Sequence, residues 1–299
     1  MSKIEWTDAT WNPIRAKDKE TGKDGWFCVH ASEGCRNCYA EDLNQNRRNL
    51  AIGNGHAYAA QNRDKLDIHI HEKTLQAPLR WRKPRKVFVC SMTDLFGEFH
   101  DDALIDWVFA VMALCPQHTF QVLTKRAERM WEYLSYSDTD ADVWTAAQRL
   151  FLGCGLDRDL AVHCVDKWPL PNVWLGVSVE DQKTADARVP ALLATPAARR
   201  FVSYEPALGP VDFTRLHYDG ITQINALTGR HGLSGGGDGP SLDQIIFGGE
   251  SGPNRRPAQM DWGRAVRDQC KAAGVAFFGK QDDKVRSLPD DLDIREWPR

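Results

Sequence analysis

Nowhere is this chain apolar for the roughly 18 residues that a membrane-spanning helix needs. The opening "SKIEWTDATWN" is polar and acidic where a secretory leader would be basic and then apolar. No membrane role is expected, and a cytoplasmic protein is. Cysteine is scarce, with eight in 299 residues, too dilute for a disulfide scaffold. Neither sign of charge dominates. Lys and Arg total 38 against 41 Asp and Glu, a net charge of −3, which excludes a chain-wide attraction to nucleic acid or to an anionic bilayer. The sequence carries no G-x-S-x-G elbow, no Walker loop and no dinucleotide glycine fingerprint. His69 and His71 in "DIHIHEK" lack the carboxylate–histidine pattern of a metal hydrolase and read as strand residues sharing a face. Internal repeats and long low-complexity tracts are absent too.

What is present is a chain of barrel length, since a (β/α) barrel takes roughly 250 residues. Hydrophobic residues make up 42%, enough for a substantial core. Six β-branched and aromatic runs stand out: 86–91, 119–125, 173–179, 199–205, 244–250 and 275–280. Each is nearly continuous in apolar residues, as strands of a parallel sheet buried on both faces are. Helical patterns fall between them at 102–115, 182–195 and 261–274, the last stopped by Gly274, with another in "DVWTAAQRLFLGC". An earlier strand near "TWNPI" (10–14) or "GWFCV" (25–29) brings the count to about seven. Strand–helix alternation predicts an α/β fold, a full or partial parallel (β/α) barrel over residues 1–299 as a single domain. Polar, glycine-bearing stretches at about 15–25 and 217–241 read as inserted surface loops. The basic run "RWRKPRK" (80–86) reads first as a solvated loop ahead of a strand and second as a nucleic-acid patch.

Scarce as cysteine is, three cluster in "GWFCVHASEGCRNCYAE": Cys28, Cys35 and Cys38, spaced C-x6-C-x2-C. Clustered thiols in a reducing compartment bind metal more often than they cross-link. A closed zinc site wants four ligands. His30, Cys154 or Cys164 could supply the fourth. Cys90, Cys115 and Cys270 fall inside apolar patterns and read as small core residues. The other reading takes the open corner as the purpose: a four-iron cluster on three thiolates leaves one iron for an exogenous ligand.

In a parallel barrel the site lies at the carboxyl ends of the strands. The predicted strands turn abruptly polar at that end. Ser91 to Asp94 follow the first, Lys125 and Arg126 the second, then Ser178 and Glu180, Ser203 and Glu205, Gly248, Gly249 and Glu250, and finally Lys280 and Gln281. One or two polar ends are ordinary, whereas six together point to a convergent pocket. Lys125 and Arg126 suit a carboxylate or phosphate, and Glu180 and Glu205 suit ribose hydroxyls or an internal ion pair with those cations. Gly248 and Gly249 suit close approach of a ligand to the backbone. Arg255 and Arg256 suit an anionic substrate or partner.

The segments "IEWTDATWNPI", "CVHASEGCRNCYAE", "FVCSMTDLFGE", "QVLTKR", "LGVSVE", "VSYEPALGP" and "GGESGPNRRP", spread over nearly the whole chain, resemble a phage-associated family with a three-cysteine motif and no assigned function. That family is similar to radical S-adenosylmethionine enzymes. The resemblance implies a radical-SAM-like barrel and a [4Fe-4S] cluster on Cys28, Cys35 and Cys38. It also implies S-adenosylmethionine on the open iron, an electron donor, and a 5′-deoxyadenosyl radical. By position, Ser91 to Asp94 would bind the amino group of S-adenosylmethionine, with Asp94 the charged partner. The usual spacing in such enzymes is C-x3-C-x2-C. Here the first gap is longer, and Asn37 stands where an aromatic usually precedes the last cysteine, so Tyr39 takes over packing near the cofactor. The late Gly248-Gly249-Glu250 is not topologically equivalent to the early GGE of those enzymes. The substrate is unwritten; a phage setting in host cytoplasm suits a nucleotide, a nucleic acid or a modified base, and it leaves room for a partner protein. The alternative is a non-catalytic zinc- or Fe–S-bearing protein that binds nucleic acid through residues 80–86 and Arg255–Arg256.

Overall fold

The computed structural model describes residues 4–46, 52–154, 167–218, 222–232, 239–251, 254–282 and 286–298. Its principal sheet has seven strands: β1 (Ala9–Trp11), β5 (Lys86–Val89), β6 (Thr119–Thr124), β7 (Val173–Ser178), β8 (Arg199–Tyr204), β12 (Gln244–Gly248) and β13 (Ala276–Gln281). They lie in that order. Each successive strand joins the same growing edge, as in a barrel; a doubly wound sheet would reverse direction partway. The order ends on β1 and β13, which are not neighbours among the described residues. The expected α/β class is present, and of the two barrel forms the partial one matches.

The chain divides into two compact units, the first comprising 1–30, 38–123 and 132–174, the second 31–37, 124–131 and 175–299. In the first, β1 pairs with β5 and β5 with β6, all parallel. Helix α3 (Asp102–Ala113) follows β5 and buries Ile105, Val108, Phe109 and Met112. Trp11, only 1% exposed, sets its ring 5.7 Å from Phe120 and donates from Nε1 to the Thr74 carbonyl at 2.7 Å. That bond satisfies the indole where the ring is most buried.

The insert at 15–25 is more ordered than a surface loop. Strands β2 (Ile14–Asp18), β3 (Asp24–Gly25) and β4 (Leu66–Ile70) form a small antiparallel sheet in the order β3-β2-β4. The early strand in the principal sheet is therefore Ala9–Trp11. "GWFCV" adds nothing beyond Gly25, and Ile14 of "TWNPI" opens β2 instead. His69 lies on β4, while His71 caps α2 (Glu72–Leu75) and bonds Thr74 Oγ1 through Nδ1 at 2.7 Å, so the two histidines do not act as a pair. Of the basic run, Arg85 stacks over Trp81 at 5.0 Å, and Arg80, Arg82 and Lys83 are exposed.

In the second unit β8 pairs with β12 and β12 with β13, again in parallel. Helix α6 (Gln182–Ala194) opens on a capping box. Asp181 accepts from the Thr184 amide at 2.8 Å, and Thr184 Oγ1 accepts from the Asp181 amide at 3.0 Å. Helix α7 (Met260–Ala273) ends on Gly274 at φ 73°, a left-handed cap that glycine adopts without Cβ strain. The insert at 217–241 carries a second small antiparallel sheet, β9 (Leu216–Tyr218), β10 (Thr222–Asn225) and β11 (Arg230–His231). Its "SGGGD" stretch, 234–238, lies outside the described residues, as does Cys164.

Candidate functional site

Strand β5 stops at Val89, short of the expected Ser91, because Cys90 sits at φ 54°, a left-handed conformation no strand tolerates. The chain turns there, and residues 91–94 form a rim over the first unit. Two phenols brace it. Tyr39 donates from its hydroxyl to the Ser91 carbonyl at 2.7 Å, and Tyr58 to the Met92 carbonyl at 2.6 Å. Asn12, directly after β1, accepts from the Met92 amide at 3.0 Å and donates to Ser91 Oγ at 3.2 Å. Asp94 is buried and accepts from the Phe96 amide at 3.2 Å.

Beneath this rim Trp26, Ala40, Tyr58 and Met92 form a buried apolar cluster, and Cys28, Cys38 and Tyr39 pack against it. The Tyr58 phenol is pushed well above its ordinary pKa, first by burial and then by the negative charge that Cys38 and Cys28 would carry as thiolates. Two of the three thiols and Tyr39 thus share one wall with the predicted Ser91–Asp94 segment. His30 faces Glu41 through Nε2 at 2.9 Å, and the other Glu41 oxygen accepts from the Tyr58 amide at 3.0 Å.

In the second unit the polar strand ends meet one another. Glu180, 1% exposed, takes an ion pair from Lys125, two hydrogen bonds from Arg188 Nη1 at 2.9 and 3.2 Å, and one from Ser32 Oγ at 2.9 Å. Burial alone would raise the Glu180 pKa, but the charges of Lys125 and Arg188 outweigh it and hold the carboxyl below its ordinary value. Ser178 Oγ accepts from Lys125 Nζ at 2.7 Å and donates to the Glu205 carbonyl at 3.0 Å. Glu205 pairs with Lys280. Ser203 is buried on β8. Gly248 and Gly249 admit a close backbone approach, and the approaching backbone is the end of β13. A Cβ on Gly249 would stand 1.8 Å from the Asp282 carbonyl oxygen, and one on Gly248 3.2 Å from that of Gln281.

Glu250, 6% exposed, accepts from the Arg256 amide at 2.6 Å, from its guanidinium at 2.5 Å, and from Asn37 Nδ2 at 2.9 Å. Burial raises this carboxyl, and the Arg256 and Asn37 bonds more than offset that, so its pKa too lies below the ordinary value. Arg256 also reaches Glu33 Oε1 at 2.7 Å and the Glu33 carbonyl at 3.0 Å. The sequence assigns no role to Asn12, Ser32, Glu33, Glu41, Tyr58 or Arg188. Only Asn12 had a signal, as the polar residue that follows the earliest strand.

The donor set suits a thiophilic group in kind. Cys28, Cys35 and Cys38 are partly exposed and free of disulfides, and the Ala31 amide donates to Cys35 Sγ at 3.5 Å, the type of bond that tunes cluster sulfurs. Among the described residues no group of three or more His, Cys, Asp or Glu side chains stands ready to hold a metal ion. Nor is any helix there long and apolar enough to cross a membrane.

The fold and the strand-end polar network define an α/β protein of partial-barrel order. A family model described as a protein of unknown function, DUF5131, matches residues 1–288, and the chain belongs to that family. No curated protein and no solved structure matches the chain.

Proposed function

We propose that the chain is a radical S-adenosylmethionine enzyme in which Cys28, Cys35 and Cys38 hold an open-site [4Fe-4S] cluster. The observation that carries this reading is the shared wall of Cys28, Cys38 and Tyr39 against the braced 91–94 rim. Such a cluster, when bound and reduced by an electron donor, supplies the electron that splits S-adenosylmethionine into methionine and a 5′-deoxyadenosyl radical. The chain's own part is placement and exclusion of water. Trp26, Tyr58 and Met92 present an apolar wall to two of the thiols. In this reading Asp94 and Ser91 would receive the ammonium group of S-adenosylmethionine. For the substrate, a nucleotide or nucleic acid is the class proposed, with Ser178, Ser203 and Glu205 as its candidate polar contacts.

Anaerobic purification followed by iron, sulfide and zinc analysis tests this. The expected result is a brown protein with a broad band near 400 nm, about four irons, and 5′-deoxyadenosine formed from S-adenosylmethionine on reduction. Stoichiometric zinc without a chromophore would refute it in favour of a non-catalytic metal-bearing protein.

A further inference from the structure

We propose that Glu180, Glu250 and Arg256 are positioning residues that latch the turn carrying Cys35 onto the ends of β7 and β12. The significance for a cluster rests on the function proposed above; the latch itself does not.

The turn is residues 31–37, with a 3₁₀ stretch at Glu33–Cys35, and it has little to hold it by itself. None of its 3₁₀ residues is buried, and its N-cap Ser32 makes no capping bond. Its internal main-chain hydrogen bonds, from the Cys35 amide to the Ser32 carbonyl at 2.9 Å and from the Arg36 amide to the Glu33 carbonyl at 3.2 Å, close single turns that are marginal alone, and its internal side-chain bonds, from the Ala31 amide to Cys35 Sγ at 3.5 Å and from Arg36 to Glu33 at 3.3 Å, tie the turn only to itself. Anchorage comes instead from outside. At one end Ser32 Oγ donates to Glu180 at 2.9 Å. At the other Asn37 Nδ2 donates to Glu250 at 2.9 Å. Between them Arg256 grips Glu33 through both its side chain and its carbonyl. Gly34 lies so close to Glu180 that a Cβ there would stand 2.6 Å from the Glu180 side chain.

Both anchoring carboxylates are buried and themselves pinned, Glu180 by Lys125 and Arg188 and Glu250 by Arg256. A buried carboxylate accepting several charge-assisted bonds is a fixed object. A turn tied to two of them therefore inherits a fixed geometry. This gives the strand-end acids a task that needs no ligand, namely setting where the middle thiol of the three stands.

Hydrogen exchange on the metal-free chain of residues 1–299 reads the latch directly. Arg256→Ala, which removes both bonds to Glu33, is expected to speed exchange of the Cys35 and Arg36 amides by about tenfold or more, while β12 amides stay unchanged. Arg256→Lys, which keeps the charge and loses the fork, is expected to restore part of the protection. Ser32→Ala, a milder change at the other anchor, is expected to give a smaller increase and serves if Arg256→Ala fails to fold. Unchanged exchange at 33–37 in folded Ser32→Ala and Arg256→Ala proteins would overturn the latch. The second readout is the visible spectrum and reduction potential after reconstitution with iron and sulfide. A shifted band or potential in Arg256→Ala supports the positioning role, and an unshifted one overturns it. A wild-type chain that takes up no iron refutes the proposed function while leaving the exchange result to decide the latch.

Discussion

Replacing Glu180 by Ala removes the carboxylate that Lys125, Arg188 and Ser32 share. Arg188 is itself buried and Lys125 only partly exposed, with side chains 9% and 18% accessible. Neither cation can simply turn to water once its partner is gone. Breaking a buried pair by deleting one member costs about 3–5 kcal/mol, because the remaining charge stays desolvated and unpaired. At about 2–4 °C per kcal/mol for chains somewhat smaller than this one, the melting temperature should fall by about 6–20 °C. Differential scanning fluorimetry in low and high salt reads the shift, and salt should change it little because the pair is screened by protein rather than by ions. The double variant Glu180→Ala/Arg188→Met then separates charge from volume. If an uncompensated cation is the cause, removing Arg188 as well should recover much of the loss, leaving a coupling energy of 0.5–3 kcal/mol or more. A single-variant loss below about 1 kcal/mol, or a double variant as unstable as the two single losses added together, would refute the account of Glu180 as the hub of this network.

Gly34→Ala should loosen the 31–37 turn without touching a charge, since its new Cβ meets a Glu180 that cannot retreat; faster exchange at the Cys35 amide with wild-type protection in β12 checks it. Glu180 and Glu250 are both held below their ordinary carboxylate value of 4.5. Their stabilisation is therefore complete above that value and is lost as pH falls through the lower folded values. A melting temperature measured from about pH 5 down to about pH 3 should fall, and fall less steeply in Glu250→Gln. Cys90→Val places a β-branched residue at φ 54°, which should cost about 1–3 kcal/mol in urea unfolding. Cys28→Ala, Cys35→Ala or Cys38→Ala should each abolish the chromophore of the reconstituted protein, while Cys270→Ala, on the buried face of α7, should leave it intact and lower stability alone.

The principal sheet was legible because its strands are buried and nearly unbroken in apolar residues. Three of the helices between them were placed within two residues, and Gly274 marked one end outright, but the helix Thr139–Cys154 starts three residues before the expected pattern and the helix Ala127–Ser135 went unseen. β1 was harder. At three residues it is too short to show a period, and its neighbour Ile14 belongs to another sheet. The hairpin at 15–25 hid behind polar residues because it pairs with β4, from Asp18 opposite Leu66 to Ile14 opposite Ile70, and pairing at such distance leaves no local trace. At the site, the thiols and the strand-end polar residues were visible as residue types. Their partners were not. Arg188 reads as one charge on a helix whose neighbours are apolar, and only the three-dimensional path shows it bonding the Ser178 carbonyl at 2.7 Å and Glu180 beside it. Composition can show that a carboxylate stands at a strand end, but whether it awaits a guest or already has company depends on residues far away in the chain.

The rim after β5 has a consequence for what could be recognised there. Its Ser91 and Met92 carbonyls are each occupied by a phenol, its Met92 amide by Asn12, and its Thr93 amide by the Cys90 carbonyl. The main chain has little left to offer a visitor. Any discrimination at that edge would fall to side chains, and because the Asp94 carboxylate also holds the Phe96 amide, a change of taste there would carry a change in the turn with it.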